Sequence, residues 1–107
     1  MPYSELAELL LKIEAELRRL DMWAQTAPSE EALASKLPFC IDTLPFEHWL
    51  QFVMLPKMTH LVTSSGKLPG IAEVSPVAEV VYKDDLARVV ELVRLLRQFD
   101  ELSKQLV

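Results

Sequence analysis

The chain has 107 residues, of which 50% are hydrophobic and only two are glycine, and its formal net charge is −5. This length predicts a single domain over residues 1–107, and the scarcity of glycine argues against a strand-rich fold with many tight turns. An acidic chain lacks the basic surface that contacts a phosphate backbone, so we expect no direct binding to nucleic acid.

Cysteine content and the N-terminal residues bear on the compartment. The single cysteine, Cys40, cannot form an internal disulfide and fits a reducing environment. No basic segment opens the chain, and acidic residues interrupt its first apolar positions. We therefore expect neither a signal peptide nor a membrane span, and we expect a cytoplasmic location.

The N-terminal third predicts one long helix and one short one. Leucines recur at steps of three and four over residues 4–22, which predicts an amphipathic helix with Ser4 as its N-cap. Trp23 follows this helix, and we expect its ring to cover the core. The Pro28–Ser29 pair and two acidic residues then predict a minor helical turn over residues 29–35.

Residues 38–58 contain the most unusual residue choices, namely three prolines, three phenylalanines and a tryptophan. Pro38 should hold Leu37 and the residues up to 41 extended. Asp42 or Thr43 should then cap a helix over residues 44–63, which is apolar nearly all round and therefore central in the fold. Pro56 should kink this helix near residues 52–56, at a cost of ~3 kcal/mol.

The C-terminal half predicts two more helices. Gly66 should end the central helix, and Ser75 and Pro76 should cap and begin a helix over residues 76–83. Two adjoining apolar stripes predict a last helix over residues 85–106, buried between two neighbours. The predicted fold is thus all-α: a four-helix-type bundle with a central Pro-kinked helix and a minor extra helical turn.

No motif predicts a catalytic residue, a metal ligand or a cofactor. His48 and His60 lie too far apart along one helix to share a metal ion. We interpret Cys40 as a small buried residue in preference to a thiolate partner of His48.

A binding function is the remaining hypothesis, and it concentrates at the start of the central helix. If Phe39, Phe46 and Trp49 are partly exposed around Asp42, they form a groove for a partner segment. The alternative is a small-molecule pocket, or a weak enzyme, in which polar residues between 42 and 51 converge on a ligand near the positive helix end. The candidate binding residues are Phe39, Asp42, Thr43, Phe46, Glu47, Trp49 and Gln51, and the pocket alternative adds His48.

The sequence resembles the YqcC-like family of small bacterial proteins, most clearly over residues 38–58. The residues that carry the resemblance are Trp23, Pro38-Phe39, Asp42-Thr43, Phe46, Trp49-Leu50-Gln51, Val53, Pro56, Met58, Leu61, Leu68-Pro69-Gly70, Pro76 and Glu79. The resemblance covers nearly the whole chain. It implies a cytoplasmic helical bundle, often encoded beside a tRNA pseudouridine synthase, and it implies no catalytic residues. The expected function is therefore a non-enzymatic protein-interaction module, accessory to such an enzyme and acting on the enzyme in preference to the RNA.

Overall fold

Helices supply all the regular structure of the computed structural model, which describes residues 2–107. Since no strand occurs among these residues, the predicted all-α class is confirmed. In chain order the elements are α1 (Pro2–Arg19), α2 (Glu30–Leu33), a 3₁₀ turn (Pro38–Cys40), α3 (Phe46–Trp49), a π-helical turn (Leu50–Met54), α4 (Leu55–Ser64), α5 (Val74–Val81) and α6 (Val90–Ser103).

One continuous helix runs through residues 46–64, because the backbone stays right-handed helical where α3 meets the π turn and where the π turn meets α4. We call it the central helix. α1 packs against both α4 and α6, and α5 covers another side of α6. None of the helices within residues 2–107 is long and apolar enough to cross a membrane.

The core forms from the apolar faces that the periodicity predicts. Leu6, Ile13 and Leu17 of α1 are fully buried, as are Leu92 and Leu96 of α6. Burying a leucine or isoleucine side chain contributes about 1.5–3 kcal/mol, so these faces hold the helices together. The ring of Trp23 is half-buried and packs against this core, as predicted.

Pro56 disturbs the central helix where the sequence predicts it. In a regular helix, its ring would collide with the carbonyl of Phe52, and it has no N–H to donate. The structure avoids the collision with the π-helical turn, in which the Leu55 N–H donates to the carbonyl of Leu50, five residues earlier. A π-helical turn thus overlaps the residues where the sequence predicts a kink.

Two predicted helix boundaries are wrong. α1 already includes Pro2, so Ser4 lies inside the helix and is not its N-cap. α6 begins at Val90 and not at residue 85, because the preceding residues form hydrogen-bonded turns. One of these turns runs from Asp85 to Arg88. The Arg88 side chain donates to the carbonyl of Leu20, and this bond joins the turn to the end of α1.

The predicted cap of α5 is wrong as well. The helix begins at Val74, so Ser75 lies in its first turn and cannot be its N-cap. The carboxylate of Asp100 in α6 takes this place: the N–H groups of Val74 and Ser75 donate to its two oxygens, each at 2.8 Å. This cap couples the start of α5 to α6.

Candidate functional site

Four aromatic rings cluster at the start of the central helix. Phe46 is only 2% exposed, and its ring lies 5.8 Å from Trp49, 6.1 Å from Phe39 and 6.0 Å from Tyr82 between ring centres. Phe39 meets Trp49 edge to face at 4.7 Å. Such pairs contribute about 0.5–1.5 kcal/mol beyond the burial of their area. Phe39 and Trp49 are half-buried, so this cluster also forms part of the surface.

The segment before the central helix is tightly turned. Leu37 is extended, as Pro38 predicts, but Phe39 and Cys40 adopt left-handed backbone conformations with φ of 59° and 49°. The prediction of an extended segment up to residue 41 is therefore wrong. Each left-handed residue costs about 1–2 kcal/mol. The ring contacts of Phe39 and the burial of Cys40, which was predicted, offset this cost.

Asp42 and Thr43 bond to the residues just after α2 and to α2 itself, and they do not cap the central helix, contrary to the prediction. The Ser35 hydroxyl donates to Asp42 at 2.5 Å, and the Thr43 hydroxyl donates to the carbonyl of Ala32 at 2.7 Å. The residue at the N-cap position is Pro45, which makes no side-chain hydrogen bond. A turn over residues 40–44 separates the two side chains from the first N–H groups of the helix.

Glu47 and Gln51 have partners within the fold. Glu47 accepts a hydrogen bond of 2.8 Å from the hydroxyl of Tyr82. Burial, and then the Glu47 carboxylate, raise the pKa of Tyr82 well above its ordinary value, so the phenol stays protonated. The buried amide of Gln51 accepts from the N–H of Ala24 at 2.8 Å and donates to its carbonyl at 2.9 Å. Both residues therefore join the central helix to other segments.

A pocket of about 460 Å³ lies open to solvent beside Phe39 and Trp49 of the aromatic cluster. We call it the apolar groove. Its lining residues come from the central helix, from the segments around residues 33–40 and 68–74, and from Phe99 of α6. Its lining residues are Leu33, Ser35, Leu37, Phe39, Cys40, Trp49, Val53, Met54, Lys57, Met58, Leu68, Pro69, Gly70, Ala72, Val74 and Phe99. Among these residues, Leu37 remains 49% exposed.

The structure separates the predicted site residues into two groups. Phe39 and Trp49 line the apolar groove, and the ring of Phe46 packs behind them. The polar residues Asp42, Thr43, Glu47, His48 and Gln51 do not line it. Among residues 2–107, no group of three or more His, Cys, Asp or Glu side chains is placed to hold a metal ion.

Several groove residues were missed by sequence reasoning. Leu33 belongs to the predicted minor helical turn and Leu37 to the predicted extended segment, and neither these two nor Leu68 are among the candidate binding residues. The available signal was that Leu37 and Leu68 each directly precede a proline in a short segment, since such segments cannot bury many side chains of their own.

Comparisons with known proteins agree with this fold. The solution NMR structure of YqcC from Escherichia coli matches 99% of this chain and 91% of its own, with a TM-score of 0.87 and 27% sequence identity. In sequence, YqcC of E. coli K12 is 31% identical over 93 residues, which are 87% of this chain and 85% of that protein. An uncharacterized protein of Haemophilus influenzae is 36% identical over 75 residues, or 70% of this chain and 71% of the relative.

A further relative is much longer than the match. The protein named tRNA pseudouridine synthase C in Pectobacterium carotovorum subsp. carotovorum is 41% identical over 66 residues, which are 62% of this chain but only 18% of that protein. The DUF446 family, described as tRNA pseudouridine synthase C, matches residues 5–102. The chain therefore belongs to the DUF446 family, and the resemblance to YqcC-like proteins is confirmed.

Proposed function

We propose that this chain is a non-enzymatic protein-interaction module, accessory to a tRNA pseudouridine synthase and bound to it through the apolar groove. The observation that carries the proposal is the relative in P. carotovorum, where a segment similar to this chain is part of a longer protein named tRNA pseudouridine synthase C. Two modules joined in one chain meet at a high effective concentration. As separate chains they need an interface to stay together.

The apolar groove has the composition of such an interface. Aromatic residues and methionine are enriched where proteins bind each other, and Phe39, Trp49 and Met58 all line the groove. Leu37, which also lines the groove, leaves about half of its surface in water. A contiguous apolar surface of this kind is a common mark of a binding site. The groove therefore supports a protein partner.

The positions of the polar residues count against the small-molecule alternative. A ligand pocket needs a few polar groups that converge on the ligand. Here Asp42 and Thr43 are bonded to the segment at α2, Glu47 is bonded to Tyr82, and Gln51 is bonded to Ala24. The proposal accordingly assigns no substrate and no cofactor to the chain.

Charge favours the enzyme over its RNA as the partner. With a net charge of −5, the chain would be repelled by tRNA. The proposed partner is therefore the enzyme protein and not the tRNA. The proposal also places the chain, as a single domain, in the bacterial cytoplasm. Tight binding of tRNA by the chain alone, lost as salt is raised, would contradict this part of the proposal.

The test uses the purified chain and the purified tRNA pseudouridine synthase C of the same organism. We expect co-elution in size-exclusion chromatography and a dissociation constant measurable by isothermal titration calorimetry. Leu37→Asp should weaken binding at least about tenfold, because a charge replaces an apolar contact at the interface. The matched control is Leu11→Asp, at a 70% exposed leucine of α1 that does not line the apolar groove.

Two outcomes would overturn the proposal. The first is the absence of any complex between the wild-type chain and the synthase. The second is an equal loss of affinity in Leu37→Asp and Leu11→Asp, which would remove the groove as the binding surface. Circular dichroism and urea denaturation of both variants exclude unfolding as the cause.

A further inference from the structure

The apolar groove is lined by two segments outside the central helix, and they are attached to the fold in different ways. We call residues 68–74 the fixed segment, because three of its N–H groups donate to residues in or just after α6. The bonds join Leu68 to the carbonyl of Leu106 at 2.7 Å, Ala72 to the hydroxyl of Ser103 at 2.8 Å and Val74 to the carboxylate of Asp100 at 2.8 Å. These bonds hold this part of the lining in place.

Residues 25–38, which we call the strap, supply three of the lining residues and lack such an attachment. None of them is buried. Within residues 2–107, no hydrogen bond or ion pair joins them to a residue outside 24–43. Their bonds to Asp42 and Thr43 remain within this part of the chain. Between its ends, the strap is therefore not fastened to the helical core.

The strap is anchored at both ends. Before it, the side-chain amide of Gln51 bonds to both backbone groups of Ala24. After it, the ring of Phe39 packs edge to face on Trp49, and Cys40 is buried. Phe39 and Cys40 also have left-handed backbones, which cost free energy in residues other than glycine. Because a rotation at these two residues recovers that cost, this anchor can act as a hinge.

We infer that the strap is a movable part of the apolar groove, which swings away between its anchors while the helices stay folded and closes on the segment that the groove binds. Segments with few buried contacts open locally at a much lower free energy than the whole domain unfolds. Leu33 and Leu37 of the strap are the two exposed leucines of the lining, at 37% and 49%. Contact with an occupant would bury their apolar surface, which favours closure. Closure on an occupant rests on the proposed function, whereas opening does not.

The sequence supplies a matched pair of peptide bonds for testing the opening. Lys36-Leu37-Pro38 lies in the strap, and Lys67-Leu68-Pro69 begins just before the fixed segment. Both lysines are exposed. Endoproteinase Lys-C cuts after lysine and needs the chain around the bond to be locally unfolded, so in the native protein we expect the Lys36–Leu37 bond to be cut at least about tenfold faster than the Lys67–Leu68 bond. In denaturing urea, the two bonds should be cut at equal rates to within about twofold, because their sequences match.

Two further measurements separate opening from unfolding of the whole domain. Low concentrations of urea should leave the cleavage rate at Lys36–Leu37 nearly unchanged, because only cleavage through global unfolding rises steeply with urea. Trp49→Ala removes the ring that Phe39 meets edge to face and leaves both cleavage sites unaltered. This variant should raise the ratio of the two native rates by about two- to tenfold.

The opening has clear contrary results. Equal native rates at the two bonds would overturn it, and so would a rate at Lys36–Leu37 that follows global unfolding as urea is raised. An unchanged ratio of rates in Trp49→Ala would overturn the role of the Phe39 ring as an anchor.

Hydrogen exchange followed by mass spectrometry tests the closure, since it leaves the purified synthase intact. With the synthase in excess, we expect the hydrogen-bonded amides of Leu33 and Ala34 to exchange at least about tenfold more slowly than in the free chain. The control is the turn from Asp85 to Arg88, which does not line the groove and should change by less than about twofold. Equal slowing of both segments, or of neither, would overturn the closure.

The outcomes separate the movable strap from the proposed function. If the wild-type chain does not bind the synthase, the proposed function fails and the closure fails with it, whereas the opening is decided by cleavage of the chain alone. If the synthase binds but does not protect the strap, the closure is wrong and the proposed function stands.

Discussion

Replacement of Asp100 tests how α5 is joined to α6. Its two carboxylate oxygens accept the N–H groups of Val74 and Ser75, each at 2.8 Å. These N–H groups lie in the first turn of α5, where the helix offers them no internal partner. Val74 and Ser75 are both buried, so water reaches their backbone poorly once the carboxylate is gone. We therefore expect Asp100→Ala to be one of the more damaging single changes to a half-buried residue.

The magnitude follows from the two bonds. A hydrogen bond to a charged group contributes about 1.5–3 kcal/mol, and loss of a helix cap costs about 0.5–2 kcal/mol. Because these two figures describe the same contacts, we expect Asp100→Ala to lower the free energy of unfolding by about 2–3 kcal/mol. Asp100→Asn keeps one acceptor oxygen and should lower it by about half as much.

Urea denaturation followed by circular dichroism measures the effect. With an m-value of roughly 1–3 kcal/mol/M, the midpoint of Asp100→Ala should fall by about 0.7–3 M. The control is Glu101→Ala at the next position, whose exposed ion pair with Lys104 is worth under about 1 kcal/mol. Equal midpoints for Asp100→Ala and Glu101→Ala would refute the reasoning.

Three further predictions concern stability. Gln51→Ala should lower the free energy of unfolding by about 2–3 kcal/mol in urea denaturation, since it removes a buried side-chain amide and leaves the backbone N–H and carbonyl of Ala24 without their partners. Tyr82→Phe should lower it by about 1–2 kcal/mol at neutral pH, because Glu47 loses its hydrogen-bond donor. As the pKa of Tyr82 is raised on folding, the wild type should lose this advantage above about pH 10, where the unfolded chain ionises. Ser65→Gly should raise the free energy of unfolding by about 0.5–1 kcal/mol, because Ser65 ends the central helix with a φ of 52° that favours glycine.

Each of these predictions has its own check. Gln51→Glu keeps the size of the side chain but replaces the donor by a carboxylate facing the Ala24 carbonyl, so it should be at least as damaging as Gln51→Ala. For Tyr82→Phe, a difference from wild type that stays constant between about pH 7 and 11 would contradict the raised pKa. Ser64→Gly, one residue earlier and within the helix, should be destabilising. If Ser65→Gly behaves in the same way, the argument from its φ is wrong.

The sequence predicted much of the fold because helix packing is recorded in local spacing. Leu6, Ile13 and Leu17 recur at helical intervals and are all fully buried. The disturbance at Pro56 was also predictable, since a proline inside a helix removes one hydrogen bond whatever surrounds it. Its form, a π-helical turn over Leu50–Met54, was not predicted.

The candidate site was less predictable. Phe39 and Trp49 were selected by residue type, and they do line the apolar groove. Asp42 and Thr43 were given a capping role because they lie just before a helix. Their actual partners, at Ser35 and Ala32, lie seven and eleven residues away in sequence. Spacing alone does not rank one available partner above another.

By itself, then, the sequence determined the helical class, the apolar faces of the long helices and the place of the proline disturbance, because each depends on residues a few positions apart. Only the tertiary structure decided that Asp100 caps α5, that Gln51 bonds to Ala24, and that Lys57 lies in a groove between segments distant in sequence. Such contacts form where the packed helices leave a donor, an acceptor or a surface without a local partner. The stretch at residues 38–58 therefore contributes about half of the residues that line the apolar groove, and the others come from the segments around residues 33–37 and 68–74 and from Phe99.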